Sequence, residues 1–444
     1  MRLEEHPIVQ KVRAAHQVTE AAPQVLEAAW LRQVCLDAGA DDVGFVSIDA
    51  DALGAEREHI LATFPAARAL VSFVVRLNRE STRSPVRSIA NLEFRHGTDE
   101  IDKVARRIVC VLEARGIAAL NPAMAFPMEV SRFPERMWPI AHKIVAEAAG
   151  MGRMGIHRSV IHPRFGSFVL LGTVVVGVEI SQYASALDFN PCVECKLCVA
   201  ACPVGAIGAD GYFNFSACYT HNYREFLTGF NDWVETVTES RGAADYRRRV
   251  SDRETLSMWQ SLVAGPSYKS AYCLSVCPAG EEVISPFLAD RASYFDRVVE
   301  PLTTKVETLY VLEGSDAEQH AARRFPHKLQ KRVHNGIRPH TIRDLLSNLG
   351  PMFQPGRAKK VDATYHFLFT GEEEVKATIT IRQGTLSVRE GLEGAADLRV
   401  TADTRTWLDF LGRERSIVWA LLRGRIRLWG SPRLLLEFGR CFPL

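Results

Sequence analysis

The chain has almost no net charge. Its 444 residues carry 54 Lys and Arg against 52 Asp and Glu, a formal balance of +2. There is no basic excess of the kind that draws a protein to nucleic acid, and no nucleic-acid partner is expected. Long apolar runs are missing too. The most apolar stretch, Phe168 to Ile180, is broken by Gly172, Gly177 and Glu179 and is too short to cross a bilayer. It reads as buried strand, and no membrane span is expected. The opening MRLEEHPIVQKVRAAHQ lacks the apolar core of a signal peptide and any twin-Arg pair. Nothing implies a disulfide framework: of ten cysteines, seven fall into one pattern, while Cys35, Cys110 and Cys441 are scattered and read as packing residues. Thiols of this kind suit a reducing cytoplasm, which is the expected location. The last four residues, Cys441-Phe442-Pro443-Leu444, fit a prenylation box only formally, because Pro443 suits it poorly and the segment completes an apolar helix.

The seven patterned cysteines carry the chemistry. Cys192, Cys195, Cys198 and Cys202, with Pro203 behind, spell C-x2-C-x2-C-x3-C-P. In this bacterial-type run three thiolates wrap one [4Fe–4S] cubane and the fourth reaches toward a second. A structural zinc site reads instead as two well-separated C-x2-C pairs. The partner group is Cys218, Cys273 and Cys277, again with a trailing proline, Pro278. The crossover rule gives one cluster Cys192, Cys195, Cys198 and Cys277, and the other Cys202, Cys218 and Cys273. The second is one thiolate short, because Ser270 stands where the repeat calls for cysteine. Three alternatives stay open for it: a [3Fe–4S] centre, ligation by the Ser270 oxygen, or a ligand from elsewhere.

Periodicity divides the chain. Residues 1–185 alternate helical and strand-like patterns, with Ile101, Val104, Ala105, Ile108, Val109 and Leu112 at helical spacing and apolar strands at Val43–Ser47 and Ala69–Val75; this predicts an α/β domain. Residues 186–296 form a two-cluster ferredoxin-like module with a helical, aromatic insertion at 219–272, read either as a lid over an active site or as a packing subdomain. Residues 297–345 form a helical and basic connector, with Arg323, Arg324, Lys328, Lys331, Arg332 and Arg338; such a run is a solvated face or a dock for an acidic electron donor. Residues 346–444 form a separate α+β domain: strands around Tyr365–Gly371, Val375–Ile381, Thr385–Val388 and Leu398–Asp403, then helices over Thr404–Leu411, Ile417–Leu422 and Pro432–Phe438.

Gly150-Met151-Gly152-Arg153-Met154-Gly155 matches G-x-G-x-x-G, but it closes a helix over Pro139–Ala149 and leads into a strand. A dinucleotide fingerprint does the reverse. The segment reads as a glycine-rich helix stop with backbone close to something flat. Taken with Ile161-His162-Pro163-Arg164-Phe165-Gly166-Ser167-Phe168 and the ferredoxin run behind it, the order over about 25–290 resembles the epoxyqueuosine reductase and reductive dehalogenase family. The resemblance implies a base-off cobalamin between the α/β domain and the clusters, which would feed it electrons. By it, Gly150, Gly152, Gly155, Ile161, His162, Pro163, Gly166 and Ser167 would line the corrin. The chain departs from the family at Ser270, at Arg136, where a proton-donating Asp is expected, and in lacking a tRNA-binding repeat; Glu129 and Glu135 are the nearest substitute acids. The C-terminal order Tyr365-His366-Phe367, Gly384-Thr385-Leu386, Leu398–Asp403, Trp407 and Gly424–Gly430 resembles the sterol-carrier-protein-2 family, whose fold encloses an apolar tunnel. Trp407, Phe410, Trp419, Leu422 and Phe438 are placed to line such a tunnel or to fill a core.

The expectation is therefore a corrinoid iron–sulfur reductase acting on a bulky lipophilic small molecule by dehalogenation, deoxygenation or demethylation, and fed by a low-potential ferredoxin or flavodoxin. The rival is a non-catalytic electron-transfer or adaptor protein with a lipid-binding domain. A flavin in the α/β domain is a third option.

Overall fold

The computed structural model describes residues 2–15, 23–124, 138–412 and 414–443. The first domain is built on a four-stranded sheet in the order Asp42–Ser47, Ala69–Arg76, Val169–Val176, Ala119–Leu120. Alternate side chains of its central strand serve two cores. Val71 and Phe73 meet the helices Ala28–Asp37 and Arg87–Glu113, while Leu70 and Val74 meet Val145, Ala149 and Met151 on the other face. The sheet is antiparallel at every pairing. Helices cover both faces of the sheet, in keeping with the expected α/β domain, and none of its strands are parallel. Strands covered on both faces are apolar throughout in either direction, so hydropathy alone cannot reveal their polarity.

The connector differs more. Thr308–Val311 and Leu329–Arg332 pair in parallel around the helix Asp316–Arg324, a strand–helix–strand unit where the sequence predicted only helix and charge. Its basic residues are largely ion-paired. Lys328 is buried against Glu307 at 2.7 Å, Lys331 holds Glu254 at 2.8 Å, Arg332 holds Glu313 and Glu318, and Arg338 holds Glu235. Arg323 and Arg324 remain exposed.

The C-terminal domain has a five-stranded sheet in the order Thr385–Glu390, Val375–Arg382, Asp362–Thr370, Leu398–Asp403, Ile426–Gly430, with one parallel pairing at its centre. Helices Ile342–Met352, Thr404–Leu411, Ile417–Leu422 and Pro432–Cys441 cover one face. Helix Ile342–Met352 also packs against helix Phe215–Asn222 of the cysteine module. The buried Gln354 carboxamide accepts from the Asp316 N–H at 3.0 Å and donates to the Met352 carbonyl at 3.1 Å, which ties the domain to the connector. Among the described residues no helix is long and apolar enough to cross a membrane.

Candidate metal centre and ligand cavity

Two short helices hold the thiols. Leu197–Ala201 carries Cys198 and is capped by Lys196 at φ 61°; Tyr272–Ser275 carries Cys273 and is capped by Ala271 at φ 55°. Both caps are non-glycine residues in the left-handed region, a rare conformation that persists only where the surroundings enforce it. The two helices pack on each other. Each is followed by a second cysteine and a proline, Cys202-Pro203 and Cys277-Pro278. The module is thus a near-repeat in backbone as well as in spacing. In that register Ser270 matches Cys195. Its hydroxyl donates to the Asn222 carboxamide at 3.2 Å, and its N–H donates to the same oxygen at 3.0 Å.

The thiols gather in two neighbouring sets. Burial first, and then the thiols of Cys273, Cys277, Cys195 and Cys192, push Cys198 up. Cys277 is pushed up to about 12 by burial, with Cys195 and Cys192 beside it, while N–H donation from Ala279 and a hydrogen bond with Ser167 act the other way. Cys218 is raised by burial and then by Cys273 and Cys202. Cys273 rises to about 12 through burial and Cys202. Cys202 is fully enclosed, and its sulfur accepts from the Ala206 N–H at 3.2 Å. The two sets adjoin: Cys273 also acts on Cys198, and Cys277 on Cys273.

These surroundings fit iron–sulfur ligation. A buried thiol with a raised pKa gives up its proton readily when a metal binds the sulfur in its place and the proton leaves to solvent. Cys218 and Cys273 keep accessible surface although protein encloses them, so there is space beside them. Among the described residues no three Cys, His, Asp or Glu side chains converge tightly enough for one metal ion. A cubane spreads its thiolates over separate irons.

The eight residues expected around a corrin are engaged by the protein itself. Helix His142–Ala148 does stop at this segment, with Gly150 at φ 70°. A Cβ on Gly150 would lie 2.7 Å from the Ser185 carbonyl, and one on Gly152 would lie 2.4 Å from that of Ile161. Gly155 is closed by the Ile161 side chain, which is itself buried against Cys277. His162 donates to Asp42 at 3.2 Å and stacks on Phe165. The Pro163 carbonyl accepts from the Glu281 N–H at 2.9 Å, and Ser167 Oγ donates to the Leu274 carbonyl at 2.9 Å. Gly166, at φ 67°, leaves 1.9 Å between a Cβ and the Ala279 carbonyl. The segment is a joint between the first domain and the second cysteine group. The flat neighbour read from the glycines is backbone, and as a corrin cradle these faces do not fit. Lys143, which sequence reasoning passed over, lies beside Cys273 and Cys218 with its ammonium on the Arg158 carbonyl at 2.5 Å. The lone Lys in an amphipathic helix gave no signal of this. Glu129, Glu135 and Arg136 lie outside the described residues.

The insertion packs as a subdomain. Its buried Arg224–Asp232 pair and the Glu225 carboxylate, which takes bonds from Ser261 and Lys269, hold its helices to one another. The C-terminal domain encloses a cavity of about 530 Å³. Trp407, Phe410 and Phe438 line it as expected. Trp419 and Leu422 do not: they turn outward, 38% and 83% exposed, because Ala420 and Leu421 occupy the inner face of their short helix. The Trp407 indole N–H is buried in the cavity wall with no hydrogen-bond partner among the described residues.

Comparison with known proteins follows the same division. The 4Fe-4S binding domain family model matches residues 186–208, and the SCP-2 sterol transfer family model matches residues 348–443. The chain is 25% identical to the epoxyqueuosine reductase of Staphylococcus aureus over 179 residues, 40% of this chain and 38% of that protein. It is 35% identical to that of Listeria monocytogenes over 85 residues, 19% of this chain and 22% of that protein. The match thus spans well under half the length of these relatives. Among solved structures, a reductive dehalogenase described in connection with B12-dependent dehalogenation aligns over 66% of this chain and 34% of its own, at 13% identity and TM-score 0.38. An epoxyqueuosine reductase with a tRNA stem loop aligns over 74% of this chain and 91% of its own, at 14% identity and TM-score 0.33. The chain therefore combines a 4Fe-4S binding segment of epoxyqueuosine-reductase likeness with a sterol-carrier-like domain.

Proposed function

We propose that the chain is an iron–sulfur reductase of the corrinoid kind, acting on a lipophilic small molecule that its C-terminal cavity shelters. The observation that carries the reading is the pair of adjoining thiol sets, Cys192, Cys195, Cys198 and Cys277 beside Cys202, Cys218 and Cys273. Adjacent clusters form a path for single electrons, and hydrogen bonds such as Ala206 N–H to Cys202 tune their potential. Cobalamin, when bound, would supply the reductive chemistry at the substrate. No step is derived through it, because the glycine segment is already closed by protein. Burial lowers the Lys143 pKa while Cys273 and Cys218 act the other way; where charged, its ammonium would favour the reduced, more negative state of a neighbouring cluster.

The rival, an electron-transfer adaptor with no corrin, is favoured by one observation: every glycine expected at the ring packs against the chain's own atoms. The test is anaerobic reconstitution with iron, sulfide and cobalamin. About seven to eight irons per chain with two EPR-distinct centres is the expected cluster content, and tight cobalamin binding is expected beside it. A cluster-replete protein that leaves cobalamin free would remove the corrinoid reading and leave the adaptor. Reduction assays with an epoxyqueuosine-bearing tRNA stem loop alongside lipophilic halides and epoxides decide the substrate class, since turnover of the RNA alone would overturn the lipophilic assignment.

A further inference from the structure

Helix Arg87–Glu113 begins against the grain of its own dipole. It runs for 27 residues, so the partial positive charge at its N-terminus is fully developed. Its first turn holds no acid, and its N-cap, Val86, gives no side-chain hydrogen bond. The first residue is instead an arginine, the sign that a helix dipole disfavours at that end. All three side-chain nitrogens of Arg87 are buried, and none has a hydrogen-bond partner among the described residues. A guanidinium carries five N–H donors in a fixed fork. Leaving such a group buried and unpaired is among the costliest arrangements a fold can hold.

The surroundings add positive charge and do not balance it. The Arg87 guanidinium lies over the Tyr272 ring, 5.3 Å from its centroid, and the ammoniums of Lys305 and Lys328 lie 5.8 Å and 5.9 Å from the same centroid. One carboxylate, Glu307, acts on all three cations. It is already used: it accepts from the Tyr272 hydroxyl at 2.6 Å and from Lys328 at 2.7 Å, and it pairs with Lys305 at 3.1 Å. Lys305 also donates to the Pro85 carbonyl at 3.1 Å, and Lys328 to that of Leu302 at 3.0 Å. Burial draws the Arg87 pKa down, while Tyr272 and Glu307 act the other way. Both lysines are thus satisfied by the chain, and the guanidinium fork between them and the helix end is not.

We infer that Arg87, Lys305 and Lys328 form a binding site for a small tetrahedral oxyanion, of the phosphate or sulfate kind, at the N-terminus of this helix. Two of its oxygens take the Arg87 fork, the paired geometry that a guanidinium offers and an ammonium does not. The helix end adds its own attraction for negative charge. The Lys328 side chain is fully buried and that of Glu307 only 12% exposed, an enclosure that suits a bare anion and not an organic ester. The bound anion ties together the first domain through Arg87, the connector through Lys305 and Lys328, and the cysteine module through Tyr272, the neighbour of Cys273. It braces the second thiol set without touching it. Neither a corrin nor an occupant of the C-terminal cavity enters the inference.

The test is equilibrium dialysis of the full-length, cluster-replete protein against radiolabelled inorganic phosphate, with chloride as the background salt. Saturable binding of about one phosphate per chain is expected, and unlabelled sulfate should displace it. Millimolar phosphate should raise the thermal midpoint by at least about 2 °C over chloride of equal ionic strength. Arg87→Met should lose both the binding and the shift, while its midpoint in chloride stays level or rises, because an unpaired buried charge is gone. Arg87→Lys keeps the charge without the fork and should bind at least about tenfold more weakly. No saturable binding overturns the inference. So does an equal midpoint shift in Arg87→Met, since phosphate then acts as a general stabilising salt. A collapse of the Arg87→Met midpoint in chloride overturns it too, because the guanidinium then has its partner within the protein. Displacement by phenyl phosphate as strong as by sulfate would give the site to an organic ester and overturn the assignment to a bare anion.

Discussion

Ser270 is the most consequential single residue in the cysteine module. The matching left-handed caps at Lys196 and Ala271 set it at the position that Cys195 holds in the first half. Ser270→Cys should therefore complete the second ligand set. Iron content should rise by about one per chain if the native centre has three irons, and its EPR signal should change to a four-iron type. An unchanged spectrum would mean that the fourth ligand comes from elsewhere. At Trp407 the prediction concerns the cavity's occupant. A buried N–H with no acceptor is costly, so a ligand oxygen placed against it gains affinity. Trp407→Phe should weaken binding of a carbonyl-bearing ligand about five- to tenfold and leave an alkane of the same length unaffected. Equal losses for both would assign Trp407 to shape alone.

At the scale of elements, the joint between Ile161–Ser167 and Cys273–Glu282 decides whether the first thiol set forms. Gly166 and Gly280 face each other with no room for a side chain, and Gly166 sits at φ 67°. Gly166→Ala should cost about 2–3 kcal/mol, through both the close contact and the left-handed backbone. It should also lower the thermal midpoint and disturb the centre that Cys277 serves more than the one that Cys218 serves. Cluster-resolved EPR of the variant checks this. The same joint shows what the sequence could reveal. Spacing was enough to single out the seven cysteines that the structure gathers, because a ferredoxin-like pattern is local and repetitive. It was also enough to read Gly150 as a helix stop. It could not say what the glycines pack against, because a carbonyl from residue 279 and a planar ring leave the same small-residue trace. The strands Thr308–Val311 and Leu329–Arg332 were missed for a related reason: the charges of the second strand hide a pairing that its partner's apolar run completes.

For the whole molecule, acidity is the natural probe. His221 and His157 are each held down to about 4, chiefly by burial, with nearby lysines adding to the effect. A histidine kept neutral in the folded state takes up a proton more readily when unfolded. Stability is then full above the ordinary value near 6.5 and falls as pH drops from there toward 4. The denaturant midpoint of the apoprotein should decline over that window, by up to about 3 kcal/mol for each histidine. His221→Gln should flatten the decline, and an unaltered profile would mean that carboxylates control it. The C-terminal domain was largely legible, since its strands and helices follow their alternating and helical periods closely. Which helix face turned outward was less so: Trp419 and Leu422 look like core residues in a list and become surface only when Ala420 and Leu421 claim the inner side.

One detail of that last domain bears on how such a chain could arise. The Gln354 N–H donates to the Cys441 carbonyl at 3.0 Å, and the rings of Phe353 and Phe442 lie 5.7 Å apart. The stretch that leads from helix Ile342–Met352 toward the sheet and the end of helix Pro432–Cys441 are therefore side by side. A unit closed in this way can be spliced into a surface loop of an unrelated host, or lifted out of this one, without stretching either backbone. Its pairing with an iron–sulfur module is, in this sense, a graft whose rootstock could be exchanged.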